Sequence, residues 1–322
     1  MFKMNKKILL SILITAILVT LLLTQIKITD ILIAMYSIPP HYLFLSFIFY
    51  ICSYILRALR FHILLNGEVS LRDLFNIVCV HNMANNILPA RTGELSYIYL
   101  LRKRNIPVSK GAATLLIVRI FDSITISLLF FISMPFVGLP PMVLNAFLVV
   151  TLFLIAIILF LVYLIYKGER FAGFIRGTIS RLSIDKFHII MLFMEKLKEI
   201  LECIKIIKLQ ILLQLFLVSI LIWCLLYLTN YTLLMGMVVD ITFPLVVFGS
   251  TFSVFTTLMP IQGIGGFGTT EGGWVIGFVF AGLTKEIAIR SGFVVHMIAL
   301  VYFVTLGLLS LLGTRKQKIT FL

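Results

Sequence analysis

Seven ionisable side chains stand in stretches otherwise apolar enough for a bilayer: Arg57, Arg60, Arg91, Glu94, Arg119, Asp122 and Glu271. Each costs about 2.5–3.5 kcal/mol at the centre of a hydrocarbon layer, so together they would cost on the order of 20 kcal/mol if unpaired. That exceeds the ~5–15 kcal/mol that holds an ordinary domain together. They must pair, meet water or serve a ligand in a shared interior. Arg57 and Arg60 are three residues apart and share one helix face, as do Arg119 and Asp122. Blander roles stay open: Arg57 and Arg60 can snorkel to headgroups, and Arg119–Asp122 can be an intrahelical pair that fixes the bundle. Four arginines against three carboxylates leave a positive surplus. Such an interior suits an anion, a phosphate above all.

Two further stretches bring polar groups and backbone to the same depth. In HNMANNILPARTGELSYIYL, Asn82, Asn85 and Asn86 close a short apolar helix before Pro89, which cannot continue it. Arg91-Thr92-Gly93-Glu94 then opens a second helix. In TLMPIQGIGGFGTTEGGW, Pro260 ends a helix, and Gly263, Gly265, Gly266 and Gly268 form a turn that leads through Thr269 and Thr270 to Glu271. Irregular backbone at membrane depth survives only where protein or water satisfies it. A glycine turn before a helix offers N–H groups to a phosphate, although glycines equally serve close helix packing. The run fits neither a phosphate-binding nor a dinucleotide fingerprint, so no cofactor is expected. Both stretches follow one order: apolar helix, Pro, Gly-bearing turn, Glu, apolar helix. Interrupted segments at matching places in two halves point to a transporter's midplane site and to an inverted repeat.

The elements that must position these groups follow from composition. The chain is 61% hydrophobic and 12% charged, where a soluble domain runs near half apolar and about a quarter charged. Lipid is therefore the solvent, and the fold expected is an all-α polytopic membrane protein forming one integral membrane domain over 1–322. A span needs about 20 apolar residues; candidates are 8–25, 41–65, 111–134, 142–166, 209–235 and 291–313. The run after Lys3, Lys6 and Lys7 is too long for a signal-peptide core and is read as an uncleaved first span. Basic residues concentrate at the start, at Arg72 to Lys110, over 167–208 and at Arg315 to Lys318, which the positive-inside rule assigns to the cytoplasm with both termini. All of them fall on one side if the broken segments 74–101 and 241–283 are re-entrant hairpins inserted from opposite faces. This gives six full spans plus two hairpins; full crossing by every broken piece would give up to ten. The stretch 167–208 reads as a basic amphipathic helix on the inner leaflet.

The net charge of +14 does not mark a nucleic-acid binder, because the basic residues sit in short patches between apolar runs. Cys52, Cys79, Cys203 and Cys224 show no paired spacing, and the histidines lie too far apart for a local metal motif.

Four elements carry a resemblance: Arg57-Ala-Leu-Arg60, Asn86-Ile-Leu-Pro89-Ala-Arg91-Thr-Gly93-Glu94, Arg119-Ile-Phe-Asp122 and Gly265-Gly266-Phe-Gly268-Thr-Thr-Glu271. In this order they resemble the lysylphosphatidylglycerol synthase transmembrane-region family, also described as flippase-like integral membrane proteins, over nearly the whole chain. One departure is Ile261-Gln262 after Pro260, where relatives tend to have a second proline and glycine. In bacterial multiple peptide resistance factors a similar region is held to move aminoacylated phosphatidylglycerol between leaflets. Those proteins add a soluble transferase domain that the 322 residues here do not resemble.

The resemblance implies a flippase-like transporter for an anionic or aminoacylated phospholipid, or a lipid-linked anion. Its substrate-binding residues would be Arg57, Arg60, Asn86, Arg91, Glu94, Arg119, Asp122, Gly265, Gly266 and Glu271. The alternative is an intramembrane enzyme or accessory in lipid or glycolipid modification, with the acids as its chemistry. Assembly as a homo-oligomer stays open.

Overall fold

A computed structural model describes residues 6–88, 93–138, 208–258 and 264–319, with isolated positions 156, 163, 173 and 199. The span expected over 142–166 and nearly all of 167–208 lie outside the described residues, as do Arg91 and Pro260. The described elements are all helical: α1 (Lys6–Leu23), α2 (Ile28–Tyr36), α3 (Pro40–Leu64), α4 (Leu71–Ile87), α5 (Glu94–Arg102), α6 (Val108–Ser133), α7 (Leu209–Gly236), α8 (Phe243–Leu258), α9 (Thr269–Phe280) and α10 (Lys285–Ile319). Short 3-10 turns follow α6 and precede α9.

Four helices among the described residues are long and apolar enough to cross a membrane: Pro40–Leu64, Val108–Phe136, Gln210–Gly236 and Lys285–Leu312. Polarity is inverted relative to a soluble bundle. Arg60, Asp122 and Glu271 are buried while Leu213, Leu217 and Leu221, four apart along α7, are exposed. A surface of leucine around an ionic interior is stable where hydrocarbon surrounds it.

Two expectations about element bounds are corrected. The first span does not pass into a plain loop, because α2 follows α1 at an 82° bend. Thr24 Oγ1 and Gln25 Nε2 both donate back to the carbonyl of Leu21 and close α1, and α2 restarts after an extended Lys27. Together the two pieces make a fifth candidate crossing. At the other terminus the last helix begins at Lys285, six residues before the expected 291. Thr284 caps it, its carbonyl accepting from Ala288 N and its hydroxyl from Ile287 N. Lys285 and Arg290 therefore ride on the first two turns of α10.

Packing fixes the directions. Arg60 of α3 reaches Ser219, the Thr229 hydroxyl donates to the Ser46 carbonyl, and a Cβ on Gly236 would meet Ile38 and Tyr42, so α3 and α7 run antiparallel. Arg104 pairs with Asp73 at 2.7 Å and Lys110 with Glu68. The end of α3, the start of α4, the end of α5 and the starts of α6 and α7 thus share one end of the bundle. It carries Arg72, Arg102, Lys103, Arg104, Lys110 and Lys208.

Candidate functional site

Close packing folds each broken segment back on itself. Next to α4, Gly93 is so near that a Cβ would stand 2.3 Å from Asn85 N, and His81 lies against Ser96 and Tyr97. α4 and α5 are therefore antiparallel, about 25 and 13 Å long at 1.5 Å per residue. Asn82 Nδ2 donates to Val78 O and Asn86 Nδ2 to Asn82 O, each one turn back along α4, so both amides are held against their own helix. In the second segment Ser253 Oγ donates to Thr270 O, and a Cβ on Gly277 would stand 2.3 Å from Gly249 O. α8 and α9 are thus antiparallel and joined through small residues. The backbone between them turns left-handed, with φ of 62° at Gly265, 78° at Gly266 and 81° at Gly268, which glycine adopts without strain.

Glu271 holds that turn. Its Oε2 accepts from Gly268 N at 2.7 Å and its Oε1 from Nδ1 of His296 on α10 at 2.6 Å. A carboxylate at the third position of α9 also complements the positive end of the helix. The turn packs on α4.

Around them lies an ion network. Arg60 grips Asp122 with two bonds, Nη1–Oδ1 at 2.7 Å and Nη2–Oδ2 at 3.3 Å, and Nη1 also donates to Ser219 Oγ. Trp223 Nε1 donates to the same Asp122 Oδ1 at 3.0 Å. Arg119 Nη2 donates to Glu94 Oε1 at 2.9 Å, but its nearest approach to Asp122 is 3.9 Å. The intrahelical Arg119–Asp122 pair is therefore the weak one; each partner prefers a group on another helix. Nor do Arg57 and Arg60 act together. Arg57 donates from Nη1 to Asn82 Oδ1 at 3.2 Å and stacks over Tyr54, and it has no ion pair among the described residues.

These groups border a cavity of about 430 Å³ between the two broken segments. Of the expected binding residues, Arg57, Asn86, Glu94, Arg119, Asp122, Gly265 and Gly266 line it. Arg60 and Glu271 stand behind the wall, at 1% and 0% exposure, each turned to buried partners. Arg91 lies outside the described residues.

Sequence reasoning missed a second set of lining groups: Trp223, Tyr227, Asn230, Ser250, Ser253, Thr270 and His296. A signal was available. Ser219, Trp223, Tyr227 and Asn230 recur at helical spacing within an apolar stretch, which marks one polar face of α7.

The model of the lysylphosphatidylglycerol synthase TM region matches residues 8–307. No curated protein matches the chain. The match takes in all four motif elements and every described residue of the cavity wall, and the chain belongs to this family of membrane proteins.

Proposed function

We propose that the protein carries a phospholipid with an anionic or aminoacylated headgroup, or a lipid-linked anion, between leaflets. The headgroup occupies the central cavity while the acyl chains stay in lipid. The basic end of the bundle faces the cytoplasm, by the positive-inside rule. The two antiparallel broken segments then act as re-entrant hairpins, the first entering from the cytoplasmic face and the second from the opposite one. Their helices are shorter than the ~30 Å hydrocarbon layer, as hairpins require.

Arg57 is the observation that carries this reading. It is a guanidinium on the cavity wall with no ion pair among the described residues. A guanidinium held at that depth with no carboxylate in ion-pair contact is costly, and a phosphate would relieve the cost through charge-assisted hydrogen bonds. An intramembrane enzyme would use His296, oriented by Glu271. Among the described residues, however, no hydroxyl or thiol hydrogen-bonds to that imidazole.

Purified protein in liposomes should speed leaflet exchange of fluorescent anionic phospholipids. Arg57→Ala should slow it about ten- to a hundredfold, the scale of about 1.5–3 kcal/mol per hydrogen bond to a charged group. Exchange no faster than in protein-free liposomes across anionic and aminoacylated lipids would end the proposal.

A further inference from the structure

The cavity is graded along its length. Trp223 and Asn230 both line it from α7, seven residues apart, so the wall extends about 10 Å between them at 1.5 Å per residue. At the Trp223 level stand Asp122 and the arginines. At the Asn230 level the polar groups are neutral: Asn230 Nδ2 donates to Ser250 Oγ at 3.1 Å. Among the described residues, Asn230 Oδ1 has no protein donor and the Ser250 hydroxyl hydrogen has no protein acceptor. That leaves one acceptor and one donor side by side, the complement of an alcohol, which both donates and accepts.

The charges follow the same gradient. Asp122 is taken by Arg60 and Trp223, Glu94 is paired with Arg119, and Glu271 is bound to Gly268 N–H and His296. Arg57 has no ion pair among the described residues, and the Asp122 charge it feels is already held by Arg60. An ammonium group entering this cavity would find each of these acids already holding a partner and an arginine repelling it. A phosphodiester with an uncharged, hydroxyl-bearing outer group fits both ends.

We infer that, within the lipid-carrier reading on which this rests, the cavity selects phosphodiester lipids whose outer group is a neutral polyol, with the phosphate at Arg57 and the hydroxyls at Asn230 and Ser250. Cationic aminoacylated headgroups are disfavoured cargo. The same chemistry occurs in a free glycerophosphodiester, and the lipid is the source assigned here, because the cavity lies in the apolar interior among helices that present leucine outward.

The full-length protein in liposomes is offered fluorescent phosphatidylglycerol, phosphatidic acid and lysylphosphatidylglycerol in separate runs. Phosphatidylglycerol should exchange about tenfold faster than either of the others, the scale of one well-formed hydrogen bond or charge repulsion. The variant carrying Asn230→Ala and Ser250→Ala should lose the preference over phosphatidic acid. Lysylphosphatidylglycerol moving as fast as phosphatidylglycerol, or a preference that survives the double substitution, overturns the inference. If no lipid is exchanged the transport reading fails by itself, and native mass spectrometry of detergent-purified protein given the same three lipids decides selectivity. Retention of phosphatidylglycerol above the other two upholds it, and any other order overturns it. Glycerophosphoglycerol, which lacks acyl chains, should not displace bound phosphatidylglycerol at equal concentration; displacement would overturn the lipid source.

Discussion

Asp122 takes its main partner from α3 instead of from its own helix, and that choice sets the energetics of the interior. A bidentate Arg60–Asp122 pair at 1% and 8% side-chain exposure is locked by geometry. Removing one partner strands a buried charge and costs about 3–5 kcal/mol, whereas replacing both with apolar groups is often far milder. Arg60→Ala should therefore lower the equilibrium unfolding free energy in detergent micelles by about that amount, and Arg60→Met with Asp122→Leu by much less. Equal losses in the single and double variants would show that the pair is not isolated in this way. At this scale the sequence was informative where charge made residues conspicuous: Arg57, Arg119 and Asp122 stand out by their insertion cost alone. Asn230 and Ser250 did not, because neutral polar residues cost little in an apolar pattern and gain meaning only when α7 and α8 are seen side by side.

Among the elements, the two broken segments were legible because proline and glycine punctuate them. Their register was not, since it depends on which glycines face another backbone. Gly277 packs a hydrogen against Gly249 O, and an added Cβ would stand 2.3 Å from that oxygen. Gly272, five residues earlier on α9, has nothing within 4 Å. Gly277→Ala should thus destabilise by about 1–3 kcal/mol, the scale of overpacking, while Gly272→Ala is neutral or gains up to about 1 kcal/mol of helix propensity. Thermal unfolding of both variants in the same detergent checks this, and similar behaviour in the two would contradict the close α8–α9 contact. The early start of α10 and the presence of α2 escaped notice for a related reason: both depend on caps, at Thr284 and after Lys27, that hydropathy alone passes over.

For the whole molecule, membrane residence followed from composition, while the arrangement of ends needed contacts. Arg104–Asp73 and Lys110–Glu68 tie the first hairpin to the same end as the start of α7. Lys27 and Arg290 lie together at the other end, where the bend after α1 meets the start of α10. In a variant whose four native cysteines are replaced by alanine, Lys103→Cys and Lys208→Cys should react with a membrane-impermeant maleimide only from the cytoplasmic side. Lys27→Cys should react only from the other side. Labelling of all three from one side would refute the proposed orientation.

The glycine turn of one hairpin rests on the asparagine-bearing helix of the other. Such a contact works as an interlock. The two broken segments are therefore mechanically coupled, and a displacement of either must be accommodated by the other. In the transport proposed above, the cargo is handed from one arm to the other, and the bundle needs no continuous wet channel from side to side.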